Sequence, residues 1–515
     1  MLLTIGKQNL SVVDYERVLF EDCKVVLDKT QQKEVSNNYN FLLEFATNKI
    51  IYGINTGLGP MAQYRIEDKS LNQLQLNLIR SHCTGCGKLF SAIEARATML
   101  SRLQSIMKAS SGIHPEVPDL LVSFLNLKII PKIFQKGGVG ASGDLVQLAH
   151  LGLNLIGEGE VEYNGKWTPT ENVLSKCGLN PITIHVREGL GIVNGTSAMS
   201  GIGMVNLILA TRLLNTSVAL SAITNEIMCS FDDHFSHSLN AVKPHIGQQT
   251  IAKNMRYWLK DSQLIRNRGD HFYRANSQTV FENKVQEYYS LRCVPQILGP
   301  VFDTVSEVKQ TVENEVNSVN DNPIIDHLAK HVYHGGNFHG DYVSLAMDKL
   351  KIAITKLTML SDRQLNYLLN EKLNKQLPPF INRGVLGLNF GLQGAQFTAT
   401  STTAENQTLS FPMYLHSITV NNDNQDMVSM GCNAALITSQ VIENAFLVVA
   451  IQSLAVAQAI DFLKCYPQLS SESKKMYDKI RICSGELLED RPIFLEIEKT
   501  KVMLMSSSNS ITFNP

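Results

Sequence analysis

Gly137-Gly138-Val139-Gly140-Ala141-Ser142-Gly143-Asp144 is the stretch on which the reading of the fold turns. Gly138, Gly140 and Gly143 satisfy G-x-G-x-x-G, the dinucleotide fingerprint. That fingerprint carries meaning only after a β-branched strand, at the opening of a helix and inside an alternating βαβ pattern. A helix is expected from Leu145 to Ile156. The preceding Ile129-Ile130-Pro131-Lys132-Ile133-Phe134 is a strand broken by proline, and no βαβ alternation surrounds it. A parallel α/β sheet with a bound nucleotide is therefore not expected. A second reading is a tight loop whose glycines supply positive φ.

Outward from this loop the chain reads as long helices. Ala92 to Met107, Met199 to Met228 and Ala434 to Phe462 are each expected to be one helix, the last apolar nearly all round and hence central. In Tyr342 to Leu373, the residues Val343, Met347, Leu350, Ile354 and Leu357 step by four and three. That is a bundle seam, with Lys349, Lys351 and Lys356 between. The polar and glycine-rich clusters fall between helices, at residues 51–60, 136–144, 194–196, 286–296, 317–323, 333–340 and 421–430. A rigid bundle displaying such loops is a sound scaffold for a site. The expected architecture is mainly α, an elongated central bundle following an N-terminal subdomain that bears the glycine loop. Its domains are expected at 1–205 and 206–515.

Composition narrows the function. A net charge of -1 on 515 residues gives no basic stripe for nucleic acid. The N-terminus lacks a basic region followed by an apolar run, so it does not read as a secretory signal. The most apolar run, 445–460, is interrupted by Gln452 and Gln458 and reads as a buried helix rather than a membrane span. A cytoplasmic location is expected. Nine cysteines, an odd number, fit free thiols better than a disulfide framework. Cys83 and Cys86 form one CxxC without a second pair or suitably spaced histidines, so no metal is expected.

The glycine loop has a third reading, a chemical one. In Ala141-Ser142-Gly143 the Gly143 nitrogen can attack the Ala141 carbonyl and close a five-membered ring. Loss of water from the ring and from Ser142 leaves an exocyclic methylidene. Gly143 offers an unhindered nitrogen, Ala141 crowds the attacked carbonyl little, and Ser142 supplies the departing hydroxyl. Flanking glycines permit the compressed backbone. The product, 4-methylideneimidazole-5-one (MIO), is an electrophile stronger than any ordinary side chain.

Gly138-Val139-Gly140-Ala141-Ser142-Gly143-Asp144-Leu145 resembles the signature of the MIO-dependent ammonia-lyases and aminomutases, which include the histidine, phenylalanine and tyrosine enzymes. Other loops match in order from about Asn37 to the C-terminal helices. The resemblance implies a fumarase/aspartase-like helical superfold, a homotetramer with shared sites, a small aromatic amino acid as substrate, and neither metal nor nucleotide. Ile51 to Gly59 resembles the mobile lid, in which Tyr52 would remove the β-proton and Gly59 would line the substrate site. Alone, Tyr52 would read as a core tyrosine in a glycine turn. Gln286 to Arg292 resembles a second motif. There Arg292 would grip the carboxylate at two points, Gln286 would support it, and Tyr289 would handle the amine proton. Alone, Arg292 would read as a surface ion pair. Glu287 stands where the family usually has Asp. Asn194-Gly195-Thr196 matches a motif whose Asn contacts the MIO carbonyl oxygen; by itself Asn-Gly is a turn dipeptide. Asn337 would help bind carboxylate, and Phe338 would pack beside the ring.

The substrate side chain is left to a few residues. Ser81-His82 resembles the histidine lyases, and His82 could bond an imidazole or a phenol hydroxyl. Asn424-Gln425-Asp426 departs from their Gln-Glu-Asp. A neutral Gln425 deprives an imidazole of a charge-assisted partner, roughly 1.5–3 kcal/mol, and deprives a phenol of nothing. Over its length the chain also resembles bacterial tyrosine ammonia-lyases that carry Ser-His with Gln. The expectation is therefore L-tyrosine to p-coumarate and ammonia, with histidine to urocanate, or a tyrosine aminomutase, as alternatives.

Overall fold

The structure, a computed structural model, describes residues 2–273, 279–281 and 284–506. It is mainly helical, with small sheets of two or three short strands among the described residues. The chain divides into two compact units. One comprises Met1–Ile208, Val308–Asp348 and Pro412–Ser439; the other Leu209–Glu307, Lys349–Phe411 and Gln440–Pro515. Four of the five divisions fall inside long helices, Ser197–Ile227, Val294–Val316, Asp341–Leu369 and Gly431–Leu463; the fifth, at 411/412, follows the helix Gln393–Leu409.

The first unit disposes of the dinucleotide reading. The strand before the glycine loop is only Phe134–Lys136, and it pairs antiparallel with Cys86–Leu89. Ile130–Pro131 belongs to a different sheet, with Glu160–Tyr163 and Lys166–Pro169. The parallel pair in this unit, Leu2–Ile5 with Lys24–Leu27, does not lead into the loop, so among the described residues no parallel strand aims a helix at a pyrophosphate there. The helix Ala92–Ile106 opens on a capping box between Ser91 and Glu94, and every residue from Glu94 to Ile106 is buried. Its arginines are therefore committed inward. Arg96 donates to the carbonyls of Val18 and Leu19 at the end of the helix Val12–Phe20. In the same unit Asn206 donates to the Ala435 carbonyl at 2.8 Å and accepts from the Ser439 hydroxyl at 2.8 Å. A fully buried amide thus fixes the register of two apolar helices.

In the second unit the glutamines that interrupt the apolar run are paired in the core. Gln452 donates to Gln364 Oε1 at 2.7 Å, and Gln458 exchanges two bonds with the backbone of Leu487. By length and composition Ser197–Ile227 and Gly431–Leu463 could each cross a membrane. However, 89% and 78% of their apolar windows are buried in the fold, as in core helices.

Val343, Met347, Leu350, Ile354 and Leu357 are all fully buried, as the spacing requires. Two expectations fail. Lys351 does not lie between seams but is itself buried, its stem packed inward and its ammonium donating to the Phe411 carbonyl at 3.0 Å. The segment 286–296 is not all loop: Tyr289–Arg292 forms a helical turn and Val294 begins a long helix. Pro295 sits in that helix's first turn, where its missing N–H costs nothing.

Candidate active site

The first unit builds a site around Ser142. The glycine loop is clamped from one side by the segment 421–430: Ser429 Oγ donates to the Gly140 carbonyl at 2.9 Å and Met430 N to the Val139 carbonyl at 2.9 Å. On the other side Gly143 bridges Gly195, and Asp144 N donates to the Gly195 carbonyl at 2.7 Å. Gly143 has φ +75°, and a Cβ there would stand 2.0 Å from the Gly195 oxygen. Only glycine allows this approach, on both counts.

Two side-chain amides meet Ser142. Asn194 Nδ2 donates to its carbonyl oxygen at 2.9 Å, and Gln425 Nε2 donates to its hydroxyl at 2.8 Å. Asn194 is itself held in place. Its Oδ1 accepts the Asn322 N–H at 2.8 Å, and its backbone carbonyl accepts from Arg102 Nη1 at 2.7 Å. Behind it, Asp321 lies 3.9 Å from Arg102 and 3.4 Å from Arg187, all three without solvent exposure. Burial pushes both guanidinium groups down and the Asp321 carboxyl up, while their attraction opposes each shift. A second buried carboxylate, Glu188, also acts on Arg187, so two anions face the two cations behind Asn194.

Asp144 opens the helix Leu145–Leu155 yet makes no side-chain bond to it. Its Oδ2 instead accepts the N–H groups of Ala198 and Met199 at 2.9 and 2.8 Å, capping the helix Ser197–Ile227. Burial pushes its carboxyl up to about 7, against the downward pull of those two bonds.

The 51–60 loop is ordered by its own polar side chains. Asn55 Oδ1 accepts from Ile51 N, Thr56 Oγ1 accepts from Gly53 N, and buried Gln75 joins the Gly53 carbonyl to Leu190 N. The Tyr52 hydroxyl oxygen accepts the Gly59 N–H at 3.1 Å. The Arg187 guanidinium is near enough to feel Tyr52 electrostatically. His82 ends the helix Leu71–His82, with Nδ1 engaged by the Leu78 carbonyl at 2.9 Å. That contact leaves Nε2 for a ligand. Asn337 is exposed and reaches the Val319 carbonyl at 3.4 Å; Phe338 is half-buried.

Gln286, Tyr289 and Arg292 belong to the second unit, where they line a cavity of about 670 Å³. The Arg292 guanidinium lies 4.6 Å from the Tyr289 ring centroid, and Tyr289 is 69% exposed. Glu287 is buried, 3.8 Å from Arg266 and 3.9 Å from Lys284. The structure thus joins Ser142, Asn194 and Gln425 in one hydrogen-bonded group, with Gly143 bridged to Gly195 beside it, and pairs Tyr52 with Gly59. Sequence reading missed Arg102, Arg187, Asp321 and Gln75. For Arg102 and Gln75 the signal was a charged or amide side chain inside a helical period, whereas Arg187 and Asp321 lie outside helices and carry no such mark.

A chain with this helical fold and this triplet matches the aromatic amino acid lyase family over residues 10–482. The tyrosine 2,3-aminomutase of Myxococcus sp. (strain Mx-B0) is 38% identical over 489 residues, 93% of each chain. The histidine ammonia-lyase of Bacillus subtilis (strain 168) is 35% identical over 508 residues, 98% of this chain and 97% of that one. The crystal structure of tyrosine aminomutase from Streptomyces globisporus superposes with a TM-score of 0.94 at 33% identity, over 98% of this chain and 97% of that one. The chain belongs to the aromatic amino acid lyase family and is a lyase-type enzyme with the helical fold of the MIO-dependent lyases and aminomutases. Membership implies the MIO group, and the residues present fit it. The tight Gly143 approach tolerates no side chain, and Asn194 addresses the Ser142 carbonyl, which would become the ring carbonyl.

Proposed function

We propose that this enzyme forms MIO from Ala141-Ser142-Gly143 and eliminates ammonia from L-tyrosine to give p-coumarate. The group supplies an electrophilic carbon and an electron sink that no ordinary side chain offers. Asn194 stabilises negative charge developing on the Ser142 oxygen through its Nδ2–H. Tyr52 takes the β-proton on its oxygen, acting as the phenolate that the Gly59 N–H faces and ending as the neutral phenol. Arg292 grips the substrate carboxylate with Gln286 and Asn337 in support, and Tyr289 moves the amine proton. Gly59, His82, Phe338 and Gln425 line the substrate, His82 and Gln425 at its side chain, and the 51–60 loop closes to exclude water. Only small changes of position are compatible with such a step, so the buried Arg102-Asp321-Arg187 group serves to hold Asn194 still.

The observation that carries this reading is the pair of amides on Ser142, one on its carbonyl and one on its hydroxyl, each at hydrogen-bond distance. The neutrality of Gln425 at that spot supports tyrosine over histidine, because an imidazole finds no carboxylate there. Exposed Val385, Leu386, Leu388, Phe390 and Phe397 in the second unit, with Tyr289 uncovered, support a homotetramer whose copies complete one another's sites. A cytoplasmic location accords with nine free thiols.

A tyrosine aminomutase, which returns the amine to the β-carbon, is the second reading, favoured by the tyrosine 2,3-aminomutase relatives at 38% identity. One experiment tests both. Purified enzyme without added cofactor is given tyrosine, histidine and phenylalanine in parallel, with ultraviolet detection of arylacrylate and chromatography for β-amino acid. p-Coumarate and free ammonia from tyrosine support the lyase; β-tyrosine supports the mutase; urocanate from histidine overturns the tyrosine reading.

A further inference from the structure

Away from Ser142, two neighbouring residues and one distant in sequence place one ring nitrogen of His114, a carboxylate oxygen of Glu116 and one ring nitrogen of His185 within 4.8 Å of one another. We propose that these three side chains form a binding site for a divalent transition-metal ion. Two imidazoles and one carboxylate are the donor set of zinc and cobalt sites that keep a position open for water.

The scaffold beneath the three ligands is fixed. Glu188, fully buried, accepts the backbone N–H of His114 on one oxygen at 3.0 Å and that of His185 on the other at 2.8 Å. A single carboxylate therefore sets the spacing of the two histidine-bearing segments. The imidazole rings lie 4.8 Å apart between centroids, and Tyr39 packs edge-on against His114 at 5.0 Å. Among the described residues the His185 ring makes no hydrogen bond, although it is only partly exposed. The His114 Nδ1 has only a long contact, 3.4 Å, from Glu116 N. Glu116 is half-exposed, and its Oε2 lies 3.9 Å from that Nδ1. Donors around a tetrahedral ion stand roughly 3.3 Å apart, from metal–ligand lengths of about 2.0–2.2 Å. Glu116 Oε2 also accepts the Thr183 N–H at 3.2 Å, so closure on an ion would share or exchange that contact.

The ion would sit at the start of the helix Glu188–Val193, whose C-terminal cap is Asn194. Binding would thus clamp the same backbone that carries the Ser142 donor. The site is independent of the substrate assignment and survives if that assignment fails.

The test is titration of chelator-treated enzyme with cobalt(II) and zinc(II), read by calorimetry and visible absorption. The expected result is one equivalent per chain and a rise in Tm. Cobalt should show strong visible bands of low coordination number without a thiolate charge-transfer band. Glu116→Gln and His185→Ala should each weaken binding at least ~10-fold. Glu116→Gln changes a half-exposed side chain and leaves the fold intact, which the Tm of the metal-free variant checks. Absence of a one-equivalent isotherm overturns the proposal. So does undiminished affinity in both variants, or a thiolate band, which would put the ion on cysteine.

Discussion

Asn194 reaches Ser142 with its Nδ2 across 2.9 Å while its Oδ1 receives the Asn322 N–H at 2.8 Å. Only one orientation of the amide satisfies both contacts, because the oxygen accepts and the nitrogen donates. The donor is thus aimed at the Ser142 oxygen before any substrate arrives. A preorganised donor is worth most where charge appears on an atom it already faces.

Removal of that donor should therefore fall on turnover. Asn194→Ala is expected to lower kcat by about 10²–10³ with a smaller change in KM. It also strands the buried Asn322 N–H, which costs roughly 1–3 kcal/mol of stability. Steady-state kinetics and a thermal melt separate the two effects. Unchanged kcat would remove Asn194 from the chemistry.

Ser142→Ala tests the triplet itself. Alanine deletes the hydroxyl that Gln425 holds and leaves a packed loop, so the protein should fold with a Tm close to the parent. Activity should fall by at least ~10³, the scale on which essential catalytic groups act. Intact-mass spectrometry of active parent protein should read two waters fewer than its translated sequence. Near-parental turnover by the variant would sink the MIO assignment.

The helical bundle was legible because its seam repeats: Val343, Met347, Leu350, Ile354 and Leu357 are buried in the order their spacing dictates. The same rule misplaced Lys351, since a long stem can enter a core when a carbonyl, here that of Phe411, waits for its ammonium. Ser142 and Asn194 were legible as short motifs with chemical reasons. The Arg102-Asp321-Arg187 group was not. Its members come from three distant segments, and no local pattern says which buried charge another will meet. Residues 286–296 looked like a loop because they are polar, but helix formation there is decided by Pro295 in a first turn and by tertiary burial of Leu291 and Val294.

Gln425→Glu tests the substrate. A carboxylate at that position would pair with an imidazole and meet a phenol with no such gain. A charge-assisted bond of roughly 1.5–3 kcal/mol corresponds to about 10–100-fold. The ratio of kcat/KM for histidine over tyrosine should rise by that factor. A ratio cancels any loss in the fraction of enzyme that has matured, because both substrates meet the same preparation. An unmoved ratio would detach Gln425 from side-chain recognition.

Asp144 gives a prediction in pH. Its folded carboxyl, pushed up by burial to about 7, lies above its ordinary value of 3.8. Below about 4 both folded and unfolded chains hold the proton, and the group does not affect their balance. Between about 4 and 7 the unfolded chain releases a proton that the folded chain keeps, so stability falls as pH rises. Above about 7 both are ionised and the loss is complete. Asp144→Asn keeps an oxygen to accept the Ala198 and Met199 N–H groups but cannot ionise. The drop in Tm from about pH 5 to about pH 8 should therefore be larger in the parent than in Asp144→Asn, compared at one protein concentration because assembly also moves Tm. Equal drops in the two proteins would mean that the carboxyl is already ionised at the lower pH, held so by the N-terminus of the helix it caps.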